Sequence, residues 1–205
     1  MDIDWDRIAP SYEWQVPLER NTLRKLVELL NVGPDDLVLD VATGTGAVLR
    51  ELARLDWPPR RATGIDSSAG MLRRAWGVPR SWGLRHGEAT ALPFEDRSFD
   101  LVTASYLLHI LDPEERRSVL SEIARVLRPG GRVGVVTVAE TGPISRRILG
   151  PIAARAKRRG GALCGLVPLD PRAELVRAGF EPSRVVRVWS GYPSLCVVAT
   201  KPRGR

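Results

Sequence analysis

The apolar positions of this chain switch between two periods. Residues 18–31 place Leu18, Leu23, Leu26, Val27, Leu29 and Leu30 on one helical face, and Gly33-Pro34 ends that helix. The run Leu37 to Val41 then carries apolar residues at four of five positions, the signature of a short buried strand. Gly44 and Gly46 end the strand, and a helical pattern of Val48, Leu49, Leu52, Ala53 and Leu55 follows until Trp57-Pro58-Pro59 breaks it. The cycle repeats. Residues 62–66 read as a second strand, and Ser67 or Ser68 caps a helix bearing Met71, Leu72, Ala75 and Trp76. Residues 82–86 read as a third strand and 98–105 as a fourth. Asp112-Pro113 opens a helix to Leu127, and residues 132–139 form a fifth strand. A last helix over 171–178, stopped by Gly179, precedes strands at 185–189 and 195–199 joined through Gly191-Tyr192-Pro193. Strands alternating with helices predict an α/β chain with a doubly wound, mostly parallel sheet.

The strand that ends in Val41-Ala42-Thr43-Gly44-Thr45-Gly46 organises the chemistry. Glycines between a strand and a helix let a ligand approach the backbone beside unpaired helix N–H groups. A dinucleotide fingerprint needs a third glycine, and Leu49 stands there instead. Asp66 lies 20 residues past Gly46, at the end of the second strand, where a carboxylate can accept from both hydroxyls of a ribose. This pattern suits a nucleoside without a pyrophosphate, and S-adenosylmethionine (SAM) is such a ligand.

The run VLDVATGTG resembles motif I of the class I SAM-dependent methyltransferases, in the form found in ubiquinone/menaquinone-biosynthesis methyltransferases, where a residue such as Ala42 takes the first glycine position. Further segments occur in the same order. They are residues 5–13 against a Tyr-Asp-x-x-Ala-x-x-Tyr-Asp pattern, Asp66, Gly87-Glu88-Ala89 through Leu92-Pro93-Phe94, residues 98–105, and Arg125-Val126-Leu127-Arg128-Pro129-Gly130-Gly131. The resemblance covers roughly residues 5–140. It implies a Rossmann-like, seven-stranded sheet with one antiparallel strand near the C-terminus. It also implies that Asp40 orients the glycine loop and the cofactor's amino group. Asp66 would bind the ribose, Glu88 and the Ala89 backbone would read the adenine, Met71 would lie against it, and Tyr12 would close over the methionine end. Ala42, Gly44, Gly46, Ser67 and Ser105 complete the implied cofactor contacts. His109, just past the fourth strand, is a candidate base, with the alternative that it is satisfied within its own turn. No metal is implied.

The 205 residues suffice for one domain with a full core. We divide it into an N-terminal lid and helix (1–33), a SAM-binding core (34–140), an acceptor-side insert (141–170), and a last helix and hairpin (171–205). The net charge of +7 is uneven. Residues 1–140 carry 18 Lys/Arg against 21 Asp/Glu, whereas residues 141–205 carry 13 against 3. The basic insert, with Ile148, Leu149 and Ile152 beside Arg155-Ala156-Lys157-Arg158-Arg159, suggests peripheral contact with an anionic membrane through residues 145–159, or else a pocket lid with solvated arginines. A quinone precursor or phospholipid headgroup is the favoured acceptor, and a soluble natural product the plain alternative. The basic third also raises RNA methylation, but the Asn/Asp-Pro-Pro-Tyr/Phe motif of base methylases and any appended RNA-binding module are missing. The N-terminus lacks the apolar stretch of a signal peptide and no apolar run reaches the ~18 residues of a membrane span. A cytoplasmic location, at the inner membrane surface if the insert binds lipid, is therefore expected. Cys164 and Cys196 show no metal or disulfide spacing.

Overall fold

The computed structural model describes residues 4–12, 15–140, 167–191 and 193–204. Most of the insert, including the 145–159 stretch and Cys164, lies outside the described residues, as do Glu13 and Tyr192. Helices α1 (Trp5–Tyr12) and α2 (Val16–Leu30) lead into strand β1 (Leu37–Val41) and helix α3 (Ala47–Leu52). Next come β2 (Arg61–Asp66), α4 (Ala69–Leu72), β3 (Gly83–His86) and β4 (Phe99–Ser105). A 3₁₀ turn (Leu108–Ile110), α5 (Pro113–Val126), β5 (Leu127–Val138), α6 (Arg172–Arg177), β6 (Glu181–Val188) and β7 (Ser194–Thr200) complete the described chain.

The strands form one sheet in the order β3-β2-β1-β4-β5-β7-β6. All pairs are parallel except those of β7, which runs antiparallel to both β5 and β6. The expected seven strands with one antiparallel member are present. Alternation along each strand splits the core in two. Val38, Leu101, Val136 and Cys196 face α2 and α3, whereas Leu39, Val102, Val135 and Val197 face α5. Because β1 has β2 on one side and β4 on the other, strand order reverses between β1 and β4. In such sheets ligands bind beyond the carboxyl ends of the strands at this switch point.

Several boundaries differ from the sequence expectation. Pro10 lies inside α1, and Pro17 occupies the first turn of α2, where a missing N–H costs nothing. β3 starts at Gly83 and is exposed along its length as the sheet edge, while Trp82 before it is buried. β5 begins at Leu127 rather than Arg132, so the Arg-Pro-Gly-Gly segment is the irregular start of a strand instead of a free turn. Its glycines are still required. Gly130 has φ +82° and gives its N–H to Lys201 O at 2.8 Å, and a Cβ on Gly131 would lie 2.8 Å from Arg128 O. α5 is set by a full capping box between Asp112 and Glu115. From its far end Glu122 and Arg125 reach out to hold the backbone of Leu92 and Phe94. That contact fixes one end of the loop that carries Glu88 and Ala89.

Candidate functional site

The loop after β1 has three left-handed residues in five positions. They are Ala42 (φ +54°), Gly44 (φ +56°) and Gly46 (φ +78°). Ala42 is the costly one, since a Cβ in this region costs about 1–2 kcal/mol. Two aspartates hold the loop in this shape. Asp40, 1% exposed, accepts from the hydroxyls of Thr43 and Thr103, each at 2.7 Å. Asp66 accepts from the Gly44 N–H at 2.7 Å and the Ser68 N–H at 2.8 Å. The loop also packs closely on its neighbours. A methyl at Gly64 would lie 2.7 Å from Thr43 Oγ1, and one at Gly46 would lie 2.7 Å from Val78 Cγ2. Over Gly44 the space is open, because an added Cβ would meet nothing within 4 Å.

Burial sets the electrostatics of this loop. It pushes the Asp40 carboxyl up to about 6, against the two hydroxyl hydrogen bonds that favour the anion. It likewise raises Asp66, opposed by the two backbone N–H donors. Glu88, exposed at the end of the third strand's loop, is close enough to Asp66 to raise it further. The two aspartates therefore remain anionic only at some cost, which a cationic or hydroxyl-bearing ligand would lower.

Past the end of β4 the chain makes a second strained turn. Tyr106 has φ +56°, and its N–H bonds Val136 O at 2.8 Å. The Tyr106 hydroxyl meets Ser194 Oγ at 2.8 Å, at the start of β7. His109 lies in the 3₁₀ turn, 7% exposed, edge-on to the Tyr106 ring at 6.0 Å. Ser105 Oγ and Thr45 Oγ1 are buried with no hydrogen-bond partner among the described residues. Buried hydroxyls without partners are uncommon and call for an explanation. Both belong to segments flanking the switch point.

The N-terminal helix closes on this site. Asp6 Oδ1 accepts from Ser68 Oγ and from the Gly70 N–H, both at 2.6 Å, which ties α1 to the start of α4. Ser68, not Ser67, is the cap of α4, accepting from the Met71 N–H. Ser67 is exposed, and its carbonyl lies 2.9 Å from His86 Nε2. Met71 is 3% exposed, packed as a core residue. Trp5 meets Tyr12 edge-on at 6.4 Å. The Tyr12 hydroxyl donates to both carboxylate oxygens of Glu19, at 3.2 and 3.4 Å. Burial raises the Tyr12 phenol most, and Glu19, Tyr106 and Asp66 raise it further, so all three groups lie within electrostatic reach of it.

The structure thus brings Tyr12, Asp40, Ala42, Gly44, Gly46, Asp66 and Ser105 to one end of the sheet, with Tyr106 and His109 beside them. Asp6, Glu19, Thr43 and Thr103 were not anticipated as site residues. Asp6 stands at the first acid of the N-terminal pattern and was legible there. Glu19 sits on the polar side of an ordinary amphipathic helix and carried no signal.

Residues 38–131 match the model of a methyltransferase domain family. The demethylmenaquinone methyltransferase of Thermotoga maritima is 37% identical over 154 residues, 72% of this chain and 65% of that protein. The ubiquinone/menaquinone biosynthesis C-methyltransferase of Desulfotalea psychrophila is 38% identical over 147 residues, 69% of this chain and 56% of that protein. The chain therefore spans less than two thirds of the length of these relatives. Among solved structures, the 1,6-didemethyltoxoflavin-N1-methyltransferase of Burkholderia thailandensis superposes with a TM-score of 0.70 at 22% identity, covering 98% of this chain and 88% of that one. The [4+2]-cyclase SpnF superposes with a TM-score of 0.70 at 21% identity, covering 90% and 81%. These two likenesses concern the fold.

Proposed function

We propose that this chain, which belongs to the SAM-dependent methyltransferase family of the ubiquinone/menaquinone type, moves a methyl group from SAM to a small, lipid-like acceptor, a quinone precursor or phospholipid headgroup being favoured. The observation that carries the reading is the switch-point arrangement. Asp66 is locked against an open glycine loop, and the buried hydroxyls of Ser105 and Thr45 in the flanking segments have no hydrogen-bond partner among the described residues. When bound, SAM supplies a methyl made electrophilic by its sulfonium.

The residues present fit that group. Each Asp66 oxygen already accepts one N–H and retains a lone pair for a ribose hydroxyl. Gly44 admits the ligand against the backbone, Asp40 holds the loop, and Glu88 with the Ala89 N–H meets the base. Tyr12 covers the methionine end, with Trp5 against its ring. Orientation within a water-excluded site does most of the work, since reacting groups held about 3–3.5 Å apart need little further help. His109 or another base is needed only where the acceptor is a hydroxyl or a carbon acid. Under this proposal residues 1–205 act as one domain, and the basic 145–159 stretch rests on an anionic bilayer at the cytoplasmic face. Among the described residues no helix is long and apolar enough to cross a membrane.

The test uses methyl-labelled SAM, the purified protein and a cell extract separated into lipid, aqueous and RNA fractions. Label in the lipid fraction, lost with Asp66→Ala, supports the proposal. Label only in the aqueous fraction moves the acceptor to a soluble metabolite. Label in RNA overturns the acceptor class. An Asp66→Ala protein that binds SAM with unchanged affinity removes the site assignment.

A further inference from the structure

Glu19 is the buried acid for which no role has yet been found. It is 4% exposed, and burial pushes its carboxyl up to about 7. Among the described residues no Lys, Arg or His forms an ion pair with it; its neighbour is the Tyr12 hydroxyl, which donates to both oxygens. An isolated carboxylate is costly to bury, and a pure structural role would be served as well by glutamine. The groups facing it locate it. Tyr12 comes from α1, and Tyr106, whose ionisation Glu19 disfavours, from the turn after β4. Thr22, one turn along α2, is fully buried. Tyr12 is in turn within electrostatic reach of Asp66. Glu19 therefore lies in the first turn of α2 against the Tyr12 hydroxyl, within electrostatic reach of the turn that follows β4.

Resting on the methyltransferase reading, we propose that Glu19 is the counter-charge to the sulfonium of bound SAM, and that it takes up the proton released when the methyl group leaves. The charges balance. The carbon–sulfur bond breaks with its electron pair left on sulfur, which becomes neutral. The bond from acceptor to methyl forms, the Tyr12 hydroxyl passes its proton to the Glu19 oxygen that it bonds, and the acceptor's proton replaces it on Tyr12. A cation and a carboxylate are replaced by a neutral thioether and a neutral acid, so the sulfonium and Glu19 together carry no net charge before or after transfer. The anionic form suits the charged cofactor, and the protonated form suits the neutral product.

The test is the ratio of SAM to S-adenosylhomocysteine affinity as a function of pH, by calorimetry on the full chain. Ribose, adenine and carboxylate are common to both ligands and cancel. The amino groups titrate alike enough for Glu19→Gln to serve as the baseline. If bound SAM lowers the Glu19 pKa by one unit, the ratio rises about fivefold between about pH 6 and pH 8. Glu19→Gln should lose that rise, and His109→Asn should keep it. A second readout needs no variant. At about pH 7, SAM binding to the wild type, compared in buffers of different ionisation enthalpy, should release about 0.4 proton more than S-adenosylhomocysteine binding. A ratio as steep in Glu19→Gln as in the wild type overturns the proposal. So does a variant that weakens both ligands equally at every pH, which marks Glu19 as a support for Tyr12 alone. Failure to bind either ligand would instead overturn the methyltransferase reading on which the proposal rests.

Discussion

Asp40→Asn should make the protein more stable at neutral pH while weakening its cofactor loop. The Asp40 carboxyl is buried, with a folded-state pKa raised from 3.8 to about 6. An unfolded aspartate gives up its proton earlier, so between about pH 4 and pH 6 the folded state binds more protons than the unfolded state. Stability from this group is therefore complete below about pH 4 and is lost as pH rises through about 6. A shift of roughly two units is worth about 3 kcal/mol, as an upper figure. Asparagine has no charge to bury. Its carbonyl can accept from one of the Thr43 and Thr103 hydroxyls, and the other hydroxyl can turn to accept from its amide. The assay is urea unfolding of both proteins at about pH 4 and about pH 8. Other carboxylates titrate in the same window, but they cancel in the double difference. The variant should gain about 1–3 kcal/mol on the wild type between the two pH values. A double difference near zero would mean that Asp40 is ionised at no cost, and the argument from its burial would be wrong. SAM affinity should fall in the same variant, because the anion is retained against its effect on stability.

Two further substitutions probe the frame around the loop. Gly46→Ala puts a Cβ 2.7 Å from Val78 Cγ2 at a residue with φ +78°, so unfolding should cost about 1–3 kcal/mol less, with loss of SAM binding; an unfolding midpoint equal to the wild type would refute the close packing. Asp6→Ala removes the acceptor of two 2.6 Å hydrogen bonds from Ser68 and Gly70, so limited proteolysis should cut the first dozen residues faster while the far-UV spectrum stays the same; unchanged cleavage would show that Trp5 and Tyr12 alone hold α1 down.

What the sequence revealed depended on how local the determining physics is. The strand-glycine-helix run around Gly44 and the acid at Asp66 are written in adjacent residues with fixed spacing, and both stand where the spacing put them. The capping box at Asp112 and Glu115 is local in the same way. The boundary of β5 was not legible, because strand pairing with Phe99 across the sheet extends it back to Leu127. Nor could the helix pattern of residues 18–30 single out Glu19. One polar residue on a helix becomes buried only when α1 and the turn at Tyr106 fold over it. Asp6 is intermediate: its pattern was visible, but its bond partners Ser68 and Gly70 lie more than 60 residues away.

The two kinds of feature meet at the switch point. Asp40, Asp66 and Glu19 all have their carboxyls raised, and burial is the largest cause in each. Hydrogen bonds from Thr43, Thr103, the Gly44 and Ser68 N–H groups and Tyr12 oppose the shift without cancelling it. Gathering three acids at one end of a sheet, with no cation among the described residues bonded to them, is unfavourable for an empty fold. It becomes favourable once a positively charged ligand with ribose hydroxyls enters, since such a ligand supplies both the missing charge and the missing donors. Stability withheld from the free protein then reappears as binding energy. SAM should accordingly raise the unfolding temperature more than the neutral-sulfur product does at the same free concentration, and equal shifts would mean that the acids respond to the ribose alone.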